Sequence, residues 1–311
     1  MTAVIQATGL TKRYGATLAL DHLDLDIARG EVYGFLGPNG AGKTTTIRLL
    51  LGIHRATEGT ALIAGHDAWS DPVAAHHQAA YVASEPTLWP SLTGAETLEY
   101  LANLRGGCDR AYRDQLVTRF DFDTAKKVRA LSKGNRQKIQ LIAAFATRAE
   151  ILILDEPTSG LDPLMEAAFR TTVTEARERE QTVFLSSHVL SEVELLCDRI
   201  GILRTGKLID QGTLAQLRHL TARTVEVTFA DSSVPLESLR HIEGVEIAAV
   251  NDHHLELQVR GDMGPLLQVL ARLPVTTLDS REPSLEEIFL VHYRGNGAVA
   301  EPAVAPRNGS R

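Results

Sequence analysis

The sequence predicts an α/β fold: a mostly parallel sheet flanked by helices, with a helical insertion and a small α+β domain after it. Three observations predict this. A short apolar strand, a glycine-rich loop and an amphipathic helix follow one another over residues 32–51. Continuous apolar runs at 151–154 and 182–185 alternate with helical periods, as buried parallel strands do. Near Thr221 the rhythm changes to short strands separated by turn residues.

The elements follow in order. Strands are expected at 4–10 and at 18–27, where Leu23, Leu25 and Ile27 alternate with polar residues. Val32, Phe35 and Leu36 mark a buried strand, and Ile47, Leu50 and Leu51 the apolar face of a helix. A strand at 60–64 ends at Gly65. From about 86 to 146 the pattern turns helical, with clear segments at 95–104 and 112–120. The run at 151–154 ends in acid, a helix covers roughly 164–180, and a second buried strand covers 182–185. Beyond Thr221, strands are expected at 225–229, 245–250 and 255–259, with a hairpin turn at Asn251-Asp252. Helices are expected at 265–272 and 285–293, the second opened by a capping box of Ser284 and Glu287. The expected organisation is a main domain over 1–220, containing a helical subdomain at about 86–146, then an α+β domain over 221–294. A disordered tail over 295–311 completes it.

Composition narrows the class. The chain has 311 residues, 44% hydrophobic and 23% charged, which is ordinary for a globular protein. Its net charge of −7 argues against broad nucleic-acid binding, which needs a basic face. Two cysteines, Cys108 and Cys197, give neither a disulfide framework nor a metal spacing and suit a reducing compartment. Met1-Thr2-Ala3-Val4 lacks a basic region leading into an apolar core, so no signal peptide is expected. No apolar run approaches the 18 or so residues that span a bilayer, so any spanning helices belong to another chain.

The chemistry is concentrated at Gly37-Pro38-Asn39-Gly40-Ala41-Gly42-Lys43-Thr44-Thr45, which matches G-x-x-x-x-G-K-[ST]. Backbone N–H groups of such a loop point inward, and the following helix adds its positive end. Gly37, Asn39, Gly40, Gly42 and Thr45 are expected to cradle phosphates. Lys43 reaches the β- and γ-phosphates, and the Thr44 hydroxyl holds Mg²⁺. Asp155, at the end of an apolar strand, suits a Mg²⁺ ligand, and Glu156 beside it a general base on water. Read alone, Ser132 to Asn135 is either a plain helix cap or a second anion site.

With these residues in place the chain resembles the ATP-binding subunits of ABC transporters. Leu131-Ser132-Lys133-Gly134-Asn135-Arg136-Gln137-Lys138 is similar to the family signature, and Ser159-Gly160-Leu161-Asp162 to its D-loop. Ser187-His188 resembles the switch histidine, and Tyr14 the aromatic that stacks on adenine, although an aromatic beside a strand is also ordinary core. The likeness covers residues 4–220. It implies a P-loop NTPase (ABC ATPase) core with antiparallel β and helical subdomains. It also implies ATP and Mg²⁺ as cofactors and a homodimer, with ATP between one copy's P-loop and the other's Ser132, Gly134, Asn135 and Asp162. Catalysis would rest on Lys43, Glu156 and His188. One departure stands out: where the family has a glutamine after the strand at 80–83, this chain has Ser84, then Glu85. Either a water links Ser84 to Mg²⁺, or Glu85 takes part instead, or both face solvent; the first is preferred because Pro86 holds Glu85 extended, so that with Ser84 toward the nucleotide Glu85 would face away.

Lys133-Gly134-Asn135-Arg136-Gln137-Lys138 and the ending at 282–290 resemble the drug- and antibiotic-resistance exporter branch. The expected function is therefore an ATPase that powers export of a drug, antibiotic, lipid or peptide-like substrate. It would sit peripherally on the cytoplasmic face of the membrane and work through integral membrane permease subunits. Trp89-Pro90 falls where the family docks that partner, with core packing of Trp89 the alternative. A soluble ABC-type ATPase acting on ribosomes or DNA, or an importer ATPase, are the competing functions. No nucleic-acid partner is expected.

Overall fold

The computed structural model describes residues 2–219, 222–230 and 236–294. The expected tail over 295–311 lies outside the described residues. The chain divides into two compact units, Met1–Leu217 and Arg218–Arg311.

The first unit opens with β1 (Ala3–Tyr14), β2 (Thr17–Ala28), β3 (Val32–Leu36), α1 (Lys43–Leu50), β4 (Glu58–Ile63) and β5 (His66–Asp67). It continues through α2 (Pro72–Gln78), β6 (Ala79–Val82), α3 (Gly94–Leu104), α4 (Arg110–Arg119) and α5 (Lys133–Ala146). It closes with β7 (Ile151–Asp155), α6 (Pro163–Glu178), β8 (Thr182–Ser187), α7 (Leu190–Leu196), β9 (Arg199–Arg204) and β10 (Lys207–Gly212), and α8 (Leu214–His219) runs across the boundary at 217. Two sheets result, in the orders β2-β1-β4-β5 and β10-β9-β3-β8-β7-β6. The first is antiparallel throughout. The second is parallel except for its edge strand β10.

Burial explains the parallel sheet. Every residue of β3, β7 and β8 is buried, so their apolar residues run consecutively instead of alternating with polar ones. Their two faces feed different cores. Ile151, Ile153 and Phe184 pack with Tyr33, Phe35 and the antiparallel sheet. Leu152, Leu154, Val183 and Leu185 pack with the helical region, including Leu116, Phe120, Ile142 and Phe145. Register then aligns the strand ends: Leu36 pairs with Ser187, and Asp155 with Ser186. In open α/β sheets ligands bind at this carboxyl end.

The second unit is a four-stranded antiparallel sheet in the order β12-β13-β11-β14. Its strands are β11 (Arg223–Phe229), β12 (Val245–Asn251), β13 (His254–Val259) and β14 (Val275–Arg281). Its helices are α9 (Leu236–Arg240), α10 (Gly264–Leu270) and α11 (Leu285–Arg294). Val225, Val227, Leu255 and Leu257 pack against Leu239, Leu266 and Leu270. The capping box at Ser284 is present: its N–H donates to Glu287 Oε2 (2.8 Å), and Glu287 N–H donates to Ser284 Oγ (3.3 Å).

Several expectations shift. Asn251 pairs with His254, so the hairpin turn is Asp252-His253, one residue later than the sequence suggested. The expected strand at 60–64 is β4, which ends at Ile63 because Ala64 turns to φ 49°. Strand β14 was not anticipated. Six of its seven residues are exposed, so it shows no apolar alternation.

Candidate active site

The loop from Gly37 to Thr45 joins the end of β3 to α1. Gly42 caps that helix in the left-handed region at φ 116°, and Gly40 sits at φ 82°, conformations that favour glycine. Gly37 is required by space: a Cβ there would lie 2.6 Å from the Leu203 carbonyl oxygen. Lys43 is buried and folds back over the loop, donating from Nζ to Gly37 O (2.6 Å) and Pro38 O (3.4 Å).

A cavity of about 430 Å³ opens above this loop. It is lined by loop residues Asn39, Gly40, Gly42, Lys43, Thr44 and Thr45 and by Ser84, Lys133, Glu156, Ser159 and His188. Lys43 Nζ lies 3.3 Å from Glu156 Oε1, and the other carboxylate oxygen bonds to His188 Nδ1. Lys43, Glu156 and His188 therefore form one connected chain across the pocket.

Glu156 sits there in a strained backbone conformation. Its φ of 50° is unusual for a residue with a side chain. The turn is secured by its N–H, which reaches both Ser186 O (3.1 Å) and Ser186 Oγ (3.2 Å). Asp155 is fully buried and accepts from Ser186 Oγ (2.6 Å) and Thr44 Oγ1 (3.2 Å). Thr44 lines the cavity and bonds to the buried Asp155, which brings two hard oxygen donors together, a set that suits Mg²⁺. Ser186 is a site residue that sequence reasoning passed over. Its signal was a pair of hydroxyls, Ser186-Ser187, closing the apolar run 183–185 of the strand beside the acidic one.

Ser84 and Glu85 both line the cavity. The expectation that Glu85 faces away is corrected: the chain bends at these two residues, so strand alternation does not carry past β6. Two glutamines of α5 hold the preceding backbone. Ala83 N–H donates to Gln140 Oε1 (2.7 Å), and Gln137 Nε2 donates to Ala83 O (3.3 Å).

The remaining sequence candidates lie elsewhere. Tyr14, at the end of β1, is 43% exposed, and its hydroxyl bonds His54 Nδ1 at 2.6 Å. It is surface rather than core. Ser132 caps α5, accepting from Asn135 N–H (3.2 Å) and from Asn135 Nδ2 (3.2 Å). Gly134 abuts the Gly160 carbonyl so closely that any side chain at 134 would collide with it. Lys133 Nζ donates to Ser159 Oγ (3.0 Å), a second tie between these segments. Asp162 caps α6, accepting from Leu164 and Met165 N–H (both 3.0 Å). Tyr14, Ser132, Gly134, Asn135 and Asp162 do not line the Lys43 cavity of their own chain.

A second cavity of about 420 Å³ runs past Glu85, Leu88, Trp89, Leu101 and Leu104. Trp89 is 45% exposed and meets Tyr100 edge-on, ring centres 4.5 Å apart.

Two family patterns match the sequence. That of the ABC transporter family covers residues 20–159, and that of the DrrA1-3-like ATP-binding protein C-terminal domain covers 212–293. The bacitracin transport ATP-binding protein BcrA of Bacillus licheniformis is 32% identical over 96% of this chain and 100% of its own. The chain belongs to the ATP-binding subunits of ABC transporters. The daunorubicin resistance ATP-binding protein DrrA3 of Streptomyces coeruleorubidus is 34% identical, over 94% of this chain and 96% of its own. Among solved structures, an ATP-binding subunit of an ABC transporter superposes with a TM-score of 0.66. It is 30% identical and covers 70% of this chain and 92% of its own. This ABC ATPase is therefore a nucleotide-binding, ATP-hydrolysing protein with the P-loop NTPase fold. Among its described residues no helix is long and apolar enough to cross a membrane.

One acid of this ABC ATPase behaves unusually. Glu192 on α7 is only 6% exposed, and burial pushes its carboxyl up to about 7, opposed by hydrogen bonds from Ser187 and Thr158. A carboxyl raised in this way binds its proton more tightly in the folded chain than in the unfolded one. Stability is therefore lost as pH rises from 4.5 toward about 7. Glu192→Gln, which cannot ionise, should melt about 2–4 °C above the parent at pH 8. The two should melt together at pH 5. Thermal melts at both values check this, and an equal gap at pH 5 and pH 8 would exclude titration as the cause.

Proposed function

We infer that the chain hydrolyses MgATP between two copies of itself and powers export through separate transmembrane subunits. The observation that carries this reading is the connected chain Lys43–Glu156–His188 across the phosphate-loop cavity. Loop N–H groups and Lys43 would take the β- and γ-phosphates. Glu156 would accept the proton of the attacking water, and His188 would hold Glu156 and the γ-phosphate in line. Thr44 and Asp155 would hold Mg²⁺, with Ser84 reaching it through water. When bound, the ion would neutralise charge on the phosphate oxygens. Tyr14, exposed on the rim side of β1, would stack on adenine.

Ser132, Gly134, Asn135 and Asp162 miss their own chain's cavity, and a second copy gives them a role. Ser132 and the first N–H groups of α5 form an exposed anion site that a partner's γ-phosphate would complete. The Trp89 groove, apolar and rimmed by Glu85 and Arg105, would seat a segment of the transmembrane subunit. The relatives named above are transport and resistance proteins matched along nearly their whole length, including the second unit. That supports export over an importer, or over an ATPase working on ribosomes or DNA, and supports a peripheral position on the cytoplasmic face.

The two-copy site is tested by size. With ATP and Mg²⁺, the Glu156→Gln chain should elute as a dimer. Adding Ser132→Arg should return it to monomer while leaving single-chain ATP affinity unchanged, because a bulky cation would fill the space for the partner's phosphate. An undiminished dimer peak would rule out the head-to-tail arrangement.

A further inference from the structure

The segments that carry Glu156 and His188 come from different strands, β7 and β8. Something must keep them in step, and one buried side chain touches both. Glu192 Oε2 accepts from Thr158 Oγ1, two residues after Glu156, at 3.1 Å. The same oxygen accepts from Ser187 Oγ, the residue before His188, also at 3.1 Å. Ser187 Oγ is engaged on its other side by Val189 N–H at 2.9 Å, so the hydroxyl brackets His188. Ser186 joins the ends of the two strands through Asp155 and the Glu156 N–H, and the Glu156–His188 bond joins the side chains; Glu192 adds a tie between the segments that follow, at Thr158 and Ser187.

We propose that Glu192 is a positioning residue for hydrolysis: one carboxylate oxygen ties Thr158 to Ser187 and so keeps the water-activating Glu156 and His188 in register. The proposal rests on the roles given to Glu156 and His188 above. Glu192 itself does not line the phosphate cavity. Its job needs an acceptor, not a charge, because both hydroxyls donate to a single oxygen. The surroundings agree. Glu166 on α6 and Glu156 after β7 face it and repel a negative charge. The half-buried Cys197, just past the end of α7, has its thiol pushed up, chiefly by burial and then by Glu192. A group asked only to accept two hydroxyl bonds keeps working when neutral.

This distinguishes positioning from simple core support. The full-length chain is purified, and steady-state ATP hydrolysis gives kcat and KM for Glu192→Ala, Glu192→Gln, Thr158→Val and the parent. Glu192→Ala should lower kcat about 10- to 100-fold with KM within about twofold, since a small misplacement of reacting groups costs that much. Glu192→Gln should restore kcat to within about threefold, its amide oxygen taking both bonds. Thr158→Val, nearly isosteric and unable to donate, should lower kcat several-fold with KM unchanged, and it serves if the alanine chain does not fold. Parent-like kcat in Glu192→Ala or Thr158→Val would overturn the proposal. So would an equal loss in the alanine and glutamine variants, or a loss expressed in KM. Glu156→Gln is measured alongside. If it stays active, the catalytic reading fails. If it is inactive while Glu192→Ala is parent-like, only the positioning role fails.

Discussion

Glu156→Gln lowers the turnover of MgATP by about 10²–10⁴-fold, the usual contribution of a general base, while ATP still binds. The amide keeps the shape of the side chain and one acceptor oxygen, so the backbone turn at φ 50° and its bonds to Ser186 have no reason to change. What is lost is the ability to take a proton from water. Charge changes as well. Glu156 lies 3.3 Å from Lys43 and would face the γ-phosphate. Removing its carboxylate takes away a repulsion and leaves Lys43 free for the phosphate, so ATP-bound dimers should accumulate. Single-turnover hydrolysis and sizing of the same sample read both effects, and near-normal turnover would remove Glu156 from the base role.

Lys43→Ala weakens ATP binding about 10- to 100-fold, the size expected when hydrogen bonds from a charged donor are removed. Two losses combine. The ammonium no longer meets the phosphates, and its bonds to the carbonyls of Gly37 and Pro38 no longer brace the loop. Lys43→Arg should rescue poorly, because Lys43 is buried and a planar guanidinium does not fit a site made for a compact ammonium. Titration of the purified chains with ATP decides, and equal affinity in Lys43→Ala and parent would contradict the role.

Much of this site was legible from residue order because its chemistry is local. The loop around Lys43 and the acid pair Asp155-Glu156 each sit within one strand-to-loop segment, and register brings those strand ends together. The buried runs 151–154 and 182–185 likewise predicted the central strands. What escaped depends on geometry between distant residues. Nothing in the spacing of Ser186 and Asp155, or of Thr158, Ser187 and Glu192, announces a bond. The bend at Ser84 and Glu85 overrode a strand rule that holds only while strand pairing holds. Strand β14 escaped because six of its seven residues are exposed and its place is set by pairing with β11.

The meeting of Gly134 with the Gly160 carbonyl bears on how variation in this chain should be read. In a saturating library of substitutions, position 134 would tolerate nothing but glycine, whatever stands beside it. That intolerance would arise in the isolated chain, before any phosphate arrives. Inactivity of a Gly134 variant is therefore evidence of a steric collision first. Only substitutions at Ser132 and Asn135, where side chains have room, can report whether this turn meets a nucleotide.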